Sequence, residues 1–305
     1  MTKPTIQTPL ATVLTIAGSD TSAGAGIQAD LKTIHAVGGY ALTAITAVTA
    51  QNSQGVQQVY PVSTQQLTEQ LDSLLSDYEI DTIKIGMLAN AELINVVVSF
   101  LQKHRHIPVI LDPILLSSSG KNLLDKDAIN LLKEHLIPLI TLITPNLPEL
   151  NTLLKTDFKG QADDALEILQ LLKKKDWPNT LLKGGHTAEA LAIDYLFITQ
   201  QNPQIQPQTE QQSEEVFAFP AQRIDTQNSH GTGCTLSSAI ATQLAFKRSL
   251  PEAVKLAKSY LQNTLMTADY GQPNVKQIGT NELIRHGGLN HFGQKALTFY
   301  NDEEE

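Results

Sequence analysis

The residue types best suited to chemistry lie in one stretch, Asn228-Ser229-His230-Gly231-Thr232-Gly233-Cys234-Thr235, followed by Leu236, Ala239, Ile240 and Leu244 at helical spacing. Two glycines opening a helix let the backbone wrap closely around a ligand. The first N–H groups of a helix have no internal partner and stand at the positive end of its dipole. Such a corner binds a phosphate or a developing oxyanion. Cys234 is the only cysteine in the chain and falls in the first helical turn, where the dipole favours its thiolate. Gly-x-Gly before a helix is common, and a lone cysteine is usually a small buried hydrophobe. The remainder of the chain decides between these readings.

Three further positions complete a set. Lys183 precedes Gly184-Gly185 at the end of a strand pattern, where it can reach a transferred phosphate. Asn146 and Glu149 stand at a strand-to-helix corner and can hold a magnesium ion, partly through waters. Asp112, at a neighbouring strand end, can assist through water. Amides at Gly231, Thr232 and Gly233 would receive the phosphoryl group, and Cys234 would be the base. Charge neutralisation, an anion hole and a base near the acceptor are the requirements of phosphoryl transfer. Glu149 alone is also an ordinary first-turn helix acid, and Lys183 alone an ordinary surface lysine; the combination favours chemistry.

Other kits are missing. Gly24-Ala25-Gly26 lacks the third glycine of the dinucleotide fingerprint, no acidic residue ends the next strand, and no Gly-Lys-Ser/Thr forms a Walker A loop. No His/Cys cluster has zinc spacing, and no Gly-x-Ser-x-Gly elbow occurs.

The elements that must position these residues alternate. Strand patterns cover residues 13–17, 40–51, 56–60, 82–86, 109–113, 142–146 and 180–185. Helical patterns cover 27–37, 64–77, 91–103, 127–136, 147–155 and 162–174. Residues 192–198 and 216–219 read as a hairpin whose Gln-rich connection, 199–215, is a long exposed loop. Helices at about 234–246 and 250–270 follow. The alternation predicts an α/β fold: one domain with a mostly parallel sheet covered by helices on both faces. Ligands of such sheets bind beyond the carboxyl ends of the strands. Gly18–Asp20, Gln51, Lys84–Gly86, Asp112, Asn146 and Lys183 all fall there and are expected to share one rim.

Composition bounds the function. The chain has 305 residues, 41% of them hydrophobic and 17% charged, which is ordinary for a globular protein. It has no run long enough to span a membrane, and its N-terminus lacks the apolar core of a signal peptide. A single cysteine excludes an internal disulfide, so a soluble cytoplasmic protein is expected. Net charge is −9, of which the tail Asp302-Glu303-Glu304-Glu305 supplies four, leaving −5. Without a basic block, neither nucleic acid nor membrane is an expected partner.

Thr144-Pro145-Asn146-Leu147-Pro148-Glu149, Leu182-Lys183-Gly184-Gly185-His186 and His230-Gly231-Thr232-Gly233-Cys234-Thr235 resemble the signature of the ribokinase-like vitamin kinases. With Ala17-Gly18-Ser19-Asp20, the stretch from Gly24 to Thr33, and Lys84-Ile85-Gly86-Met87-Leu88, the chain resembles the bacterial hydroxymethylpyrimidine/phosphomethylpyrimidine kinases of thiamine biosynthesis. The resemblance runs from about residue 12 to residue 270.

It implies a ribokinase-like three-layer sandwich: an extension at 1–11, a kinase domain at 12–300 and an acidic tail at 301–305. The implied reaction uses ATP and Mg2+ to convert 4-amino-5-hydroxymethyl-2-methylpyrimidine into its monophosphate and then its diphosphate. Implied ring contacts are Ala25, Asp30, Gln51 and Met87, with Thr49 in the pocket wall where valine is frequent. Asn146 and Glu149 match the metal and phosphate motif, and Lys183 the phosphate lysine. Cys234 matches the base that in most ribokinase relatives is an aspartate. A homodimer is implied as well.

Ser118 departs from members that carry lysine there, and residues 117–121 read as a flap over the site. The Gln-rich insert and the segment after Gly271 are atypical. Gly288-Leu289-Asn290-His291-Phe292 faintly resembles the family's His-Phe ending. The closest rival is a pyridoxal or pyridoxine kinase of the same superfamily; Gln51 and Met87 favour the pyrimidine. A non-catalytic sensor on the same scaffold is opposed by Lys183, Glu149 and Cys234, and a dehydrogenase by the missing fingerprint.

Overall fold

The computed structural model describes residues 10–115, 124, 126–186, 191–200, 215–269 and 287–293. Aliphatic and β-branched runs bounded by glycine and polar turns fold into β1 (Thr12–Ser19), β2 (Tyr40–Asn52), β3 (Gly55–Pro61), β4 (Thr82–Ile85), β5 (Val109–Leu111), β6 (Leu142–Ile143), β7 (Asn179–Leu182), β8 (Leu191–Phe197) and β9 (Val216–Gln222). They form one nine-stranded sheet in the order β3-β2-β1-β4-β5-β6-β7-β8-β9. From β2 to β7 the neighbours are parallel; β3 at one edge and β8 and β9 at the other are antiparallel.

The helices are α1 (Gly26–Ala36), α2 (Thr64–Leu75), α3 (Ala91–Lys103), α4 (Lys126–Leu131), α5 (Leu147–Leu154), α6 (Ala165–Lys174), α7 (Thr232–Ala245) and α8 (Leu250–Met266). Side chains alternate across each strand, so both faces of the sheet carry apolar residues. Leu14, Val109, Leu111 and Leu182 face a core shared with Leu67, Leu93, Leu150 and Ile168 of α2, α3, α5 and α6. Val13, Ile110, Leu142 and Leu181 face a second core with Ile34, Ala239 and Val254 of α1, α7 and α8. The arrangement is the three-layer α/β sandwich expected. The covering helices change face between the β1–β2 crossover and the units that follow, which opens a crevice beyond the ends of β1 and β4.

α7 is buried along its length, from Cys234 to Ala245, and packs on α1, α8, β1, β4 and β5. Its small residues permit this close approach. Its hydroxyls stay satisfied: Ser237 Oγ donates to the Gly233 carbonyl, Thr242 Oγ1 to the Ser238 carbonyl, and Ser238 Oγ to Asp30 Oδ1.

The structure shortens some expected elements, each for a local reason. The helix expected over 127–136 is α only to Leu131; Leu132–Leu136 widens into a π turn and Ile137–Leu139 tightens into a 3-10 turn. Pro138 cannot donate a helical N–H, and its ring crowds the carbonyl four residues back. The strands expected to reach 113, 146 and 185 stop at Leu111, Ile143 and Leu182. Asp112, Asn146 and Lys183 therefore stand just past the named strands, Asn146 and Lys183 joined by an isolated parallel bridge, where side chains can converge. The expected flap at 117–121, most of the Gln-rich connection and the acidic tail lie outside the described residues.

Candidate active site

Residues just past the carboxyl ends of β1, β2, β4, β5, β6 and β7 line a single cleft of about 780 Å3. The loop after β1 forms one end. Asp20 folds it: its carboxylate accepts the N–H groups of Ser22, Gly24 and Ala25 and the Ser22 hydroxyl. His230 Nε2 lies 2.8 Å from Asp20 Oδ2 and 3.2 Å from the Gln51 side-chain amide. Burial alone would raise the Asp20 carboxyl, but hydrogen bonds from His230 and Ser22 and the attraction of His230 outweigh it and hold the value at about 2. Thr49 Oγ1 donates to the Ser19 carbonyl, and the Met87 side chain packs on Gly18.

The centre is the start of α7. Gly231 is its N-cap in the left-handed region, at φ 87°, and a Cβ there would overlap the Gly24 carbonyl. A Cβ on Gly233 would sit 2.9 Å from Asp112 Oδ2 and 3.4 Å from Lys183 Nζ. The slot between the helix start and that pair exists because residue 233 has no side chain. Cys234 is buried beside it. Burial is the largest influence on the thiol; it outweighs the pull of Lys84, with Asp30 and Asp112 adding to it, and pushes the value up to about 11. The expectation of a thiolate favoured by the helix dipole is thus corrected: a few partial charges at a helix start do not offset removal from water.

The far side of the slot is a chain of charges. Lys183 Nζ bonds Asp112 Oδ1 at 2.8 Å, and Thr144 Oγ1 donates to the same oxygen. Asn146 and Glu149 form a capping box at the start of α5. Asn146 Oδ1 accepts the Glu149 N–H, and Glu149 Oε2 accepts the Asn146 N–H. Glu149 is therefore a helix-start acid and a site residue at once. Burial, reinforced by Asp112 and opposed by Lys183, raises its carboxyl to about 7. Two buried carboxylates that repel each other suit a hard divalent cation, which takes oxygen ligands and keeps part of its shell for phosphates and water. Among the described residues no group of three or more His, Cys, Asp or Glu could hold a metal ion without such help.

Beyond the slot, Lys258 Nζ pairs with Asp194 Oδ2 at 2.8 Å, and Asp194 Oδ1 accepts the Gly184 N–H. Arg223 donates to the carbonyls of Gly184 and Gly185. A final segment returns to brace the centre. The His230 N–H donates to the Gly287 carbonyl, and His230 and Gly288 form a parallel bridge. Buried His291 places Nε2 3.1 Å from Thr235 Oγ1.

The family model for phosphomethylpyrimidine kinases matches residues 20–278. The chain belongs to the phosphomethylpyrimidine kinase family. Within that family it is 43% identical over 256 residues to a hydroxymethylpyrimidine/phosphomethylpyrimidine kinase of Salmonella typhimurium, covering 84% of this chain and 91% of the relative. The crystal structure of the Clostridium difficile phosphomethylpyrimidine kinase is 36% identical and superposes with a TM-score of 0.67 over 83% of this chain and 98% of that one. An ADP complex of Bacillus subtilis pyridoxal kinase is 28% identical, with a TM-score of 0.75 over 93% of this chain and 98% of that one.

This phosphomethylpyrimidine kinase family member gathers Ala25, Thr49, Gln51, Met87, Asp112, Asn146, Glu149, Lys183, Gly231, Thr232, Gly233 and Cys234 around the cleft. Asp30 is the exception. It is wholly buried, with both oxygens 2.8 Å from Lys84 Nζ and further bonds from Thr15 and Ser238, so it has no surface left for a ring. It sits one helical turn inside α1, behind the cleft, and the carboxylate that does face the ring end is Asp20. The sequence placed Asp20 on the expected rim and His230 beside the helix start without a specific role for either, and it did not single out Asp194 or Lys258. A signal existed for the first two, in the Asp-Thr-Ser turn and in the residue before Gly231. Asp194 and Lys258 pair across β8 and α8, and no local pattern announces such a partnership. No described helix is long and apolar enough to cross a membrane.

Proposed function

We propose that the cleft transfers the γ-phosphoryl group of ATP, with Mg2+, to the hydroxymethyl group of 4-amino-5-hydroxymethyl-2-methylpyrimidine and then to the resulting monophosphate, a step of thiamine biosynthesis. One observation carries the reading: a single cleft holds a ring end built from Ala25, Thr49, Gln51 and Met87, an anion slot at Gly231–Cys234, and the Asp112–Lys183 pair across from that slot. Relatives named for both phosphorylations, at up to 43% identity, support it.

In the first transfer the substrate oxygen attacks the γ-phosphorus while Cys234 accepts its proton. The helix-start amides hold the phosphoryl oxygens, and Lys183 offsets their charge. Only the thiolate form of Cys234 can accept that proton; burial opposes the thiolate and Lys84 favours it. Asp112 and Glu149 would hold the metal, partly through water; when bound it neutralises charge on the nucleotide phosphates. Asn146 fixes Glu149 in place through the capping box.

The test is an ADP-release assay with magnesium-ATP, comparing hydroxymethylpyrimidine with pyridoxal and resolving products by mass. Pyrimidine diphosphate, with little turnover of pyridoxal, is expected. The better superposition on a pyridoxal kinase makes pyridoxal the second acceptor to test; dominant pyridoxal phosphate would move the function to vitamin B6 salvage, and no turnover of either would sink the kinase reading.

A further inference from the structure

The positive charges lining the cleft are mostly spoken for. Lys84, Lys183 and Lys258 each bond an aspartate, Asp30, Asp112 and Asp194, at 2.8 Å. Their ammonium groups are already protonated at neutral pH and have no further charge to add. The second phosphorylation differs from the first in one respect: its acceptor is a phosphate, so two highly charged phosphates must approach one another. Among the described residues lining the cleft, His230 is the one histidine.

His230 also stands at the right junction. Its ring belongs to the end of the cleft formed by Asp20 and Gln51, while its carbonyl carbon leads directly into Gly231, the N-cap of the anion slot. Any group attached to a ring held near Gln51 and aimed into that slot passes His230. The residue is fixed on both sides: Asp20 and Gln51 contact Nε2, a Cβ on Gly24 would collide with Cδ2, and the backbone N–H is tied to Gly287. Asp20 is the charged group against the ring, Gln51 is neutral, and Lys32 of α1 lies near enough to feel the Asp20 carboxylate. A carboxylate bonded to one imidazole nitrogen orients the ring and with it the other nitrogen.

We propose that His230, held by Asp20, binds the phosphate of the monophosphate acceptor and so serves the second phosphoryl transfer more than the first. This rests on the two-step reading above. In that transfer an oxygen of the acceptor phosphate bonds the γ-phosphorus as the bond from γ-phosphorus to the β-γ bridging oxygen breaks, and ADP leaves.

The experiment measures kcat/KM separately for the alcohol and for the monophosphate, in the wild type and in His230→Gln. The loss in the second step should exceed the loss in the first by about tenfold to a hundredfold, the weight of one charge-assisted bond. Calorimetry should show His230→Gln weakening the monophosphate more than the alcohol. Equal losses in both steps, or a larger loss in the first, would overturn the proposal and leave His230 a loop-holding residue. If His230→Gln fails to fold, His230→Asn is judged by the same ratio. A wild type inactive on both acceptors would instead refute the two-step reading itself.

Discussion

Cys234 illustrates how one position can be readable in kind and misread in state. Its place in the first turn of a helix was plain, but its protonation depends on Lys84, Asp30 and Asp112, which arrive from β4, α1 and the segment after β5. If Cys234 is the base, the thiolate fraction rises with pH toward about 11. The kcat/KM for the alcohol should then climb through the alkaline range, close to tenfold per pH unit, while the monophosphate step, which has no alcohol proton to lose, should not follow. Cys234→Ala should lower the alcohol step by about 10²–10⁴-fold and the monophosphate step by less. Equal losses, or a flat alkaline profile for the alcohol, would remove Cys234 from the base role. Glu149 allows a separate test. Its carboxyl rises from the ordinary 4.5 to about 7 in the folded state, so the folded protein keeps a proton that the unfolded chain releases. Stability therefore falls as pH rises between those values and stays lower above them. Glu149→Gln retains a side chain able to complete the capping box but removes the charge. It should melt a few degrees higher than wild type at pH 8, no higher at pH 4, and lose any magnesium-dependent gain, as thermal scans at both pH values would show.

At the scale of elements, the two glycines of the α7 start fail for different reasons when changed. Gly231 lies at φ 87° and meets the Gly24 backbone, so Gly231→Ala should destabilise the fold, by about 2 kcal/mol or more, as well as abolish activity. Gly233 has helical backbone, and its added methyl would meet only the tips of Asp112 and Lys183. Gly233→Ala should keep the melting temperature and cost about 10²-fold in kcat, comparable with the loss of one anion-hole donor. Melting curves beside rates separate the two cases. These elements were largely legible because hydrophobic period and glycine placement are local signals. The π turn before Pro138 was not, since a widened turn carries the same apolar spacing as a helix. Asp30 misled for a similar reason. It lies within a recognisable motif, and only the tertiary fold shows its side chain bonded to Lys84 of β4. That wholly buried pair is costly to break by halves, because an unpaired charge would remain inside.

For the whole molecule, the strand order is what makes the site one site. The ring end hangs from β1 and β2 and the far end from β7, β8 and β9, so both ends meet only because β4, β5 and β6 lie between them. Alternation of strands and helices anticipated a rim of strand ends. The sheet order, and hence which polar ends face each other, depends on crossovers that no short window of sequence records. Ligands that span the cleft should therefore stabilise the entire sheet. Magnesium-ATP at a hundred times its Kd should add about 2.7 kcal/mol, read as a rise in melting temperature; hydroxymethylpyrimidine should raise it further, and chelation of magnesium should shrink the nucleotide's share. A pyrimidine effect with no nucleotide effect would contradict the shared cleft.

The brace on His230 comes from residues 287–293, encoded well after every strand of the sheet and after α8. During synthesis the chain can lay down all nine strands and both cores before that segment leaves the ribosome. The tether of the α7 start is thus delivered only after the sheet. A product stalled or clipped ahead of residue 287 would own a sheet and a cleft, yet the loop at His230 would lack its bond to Gly287.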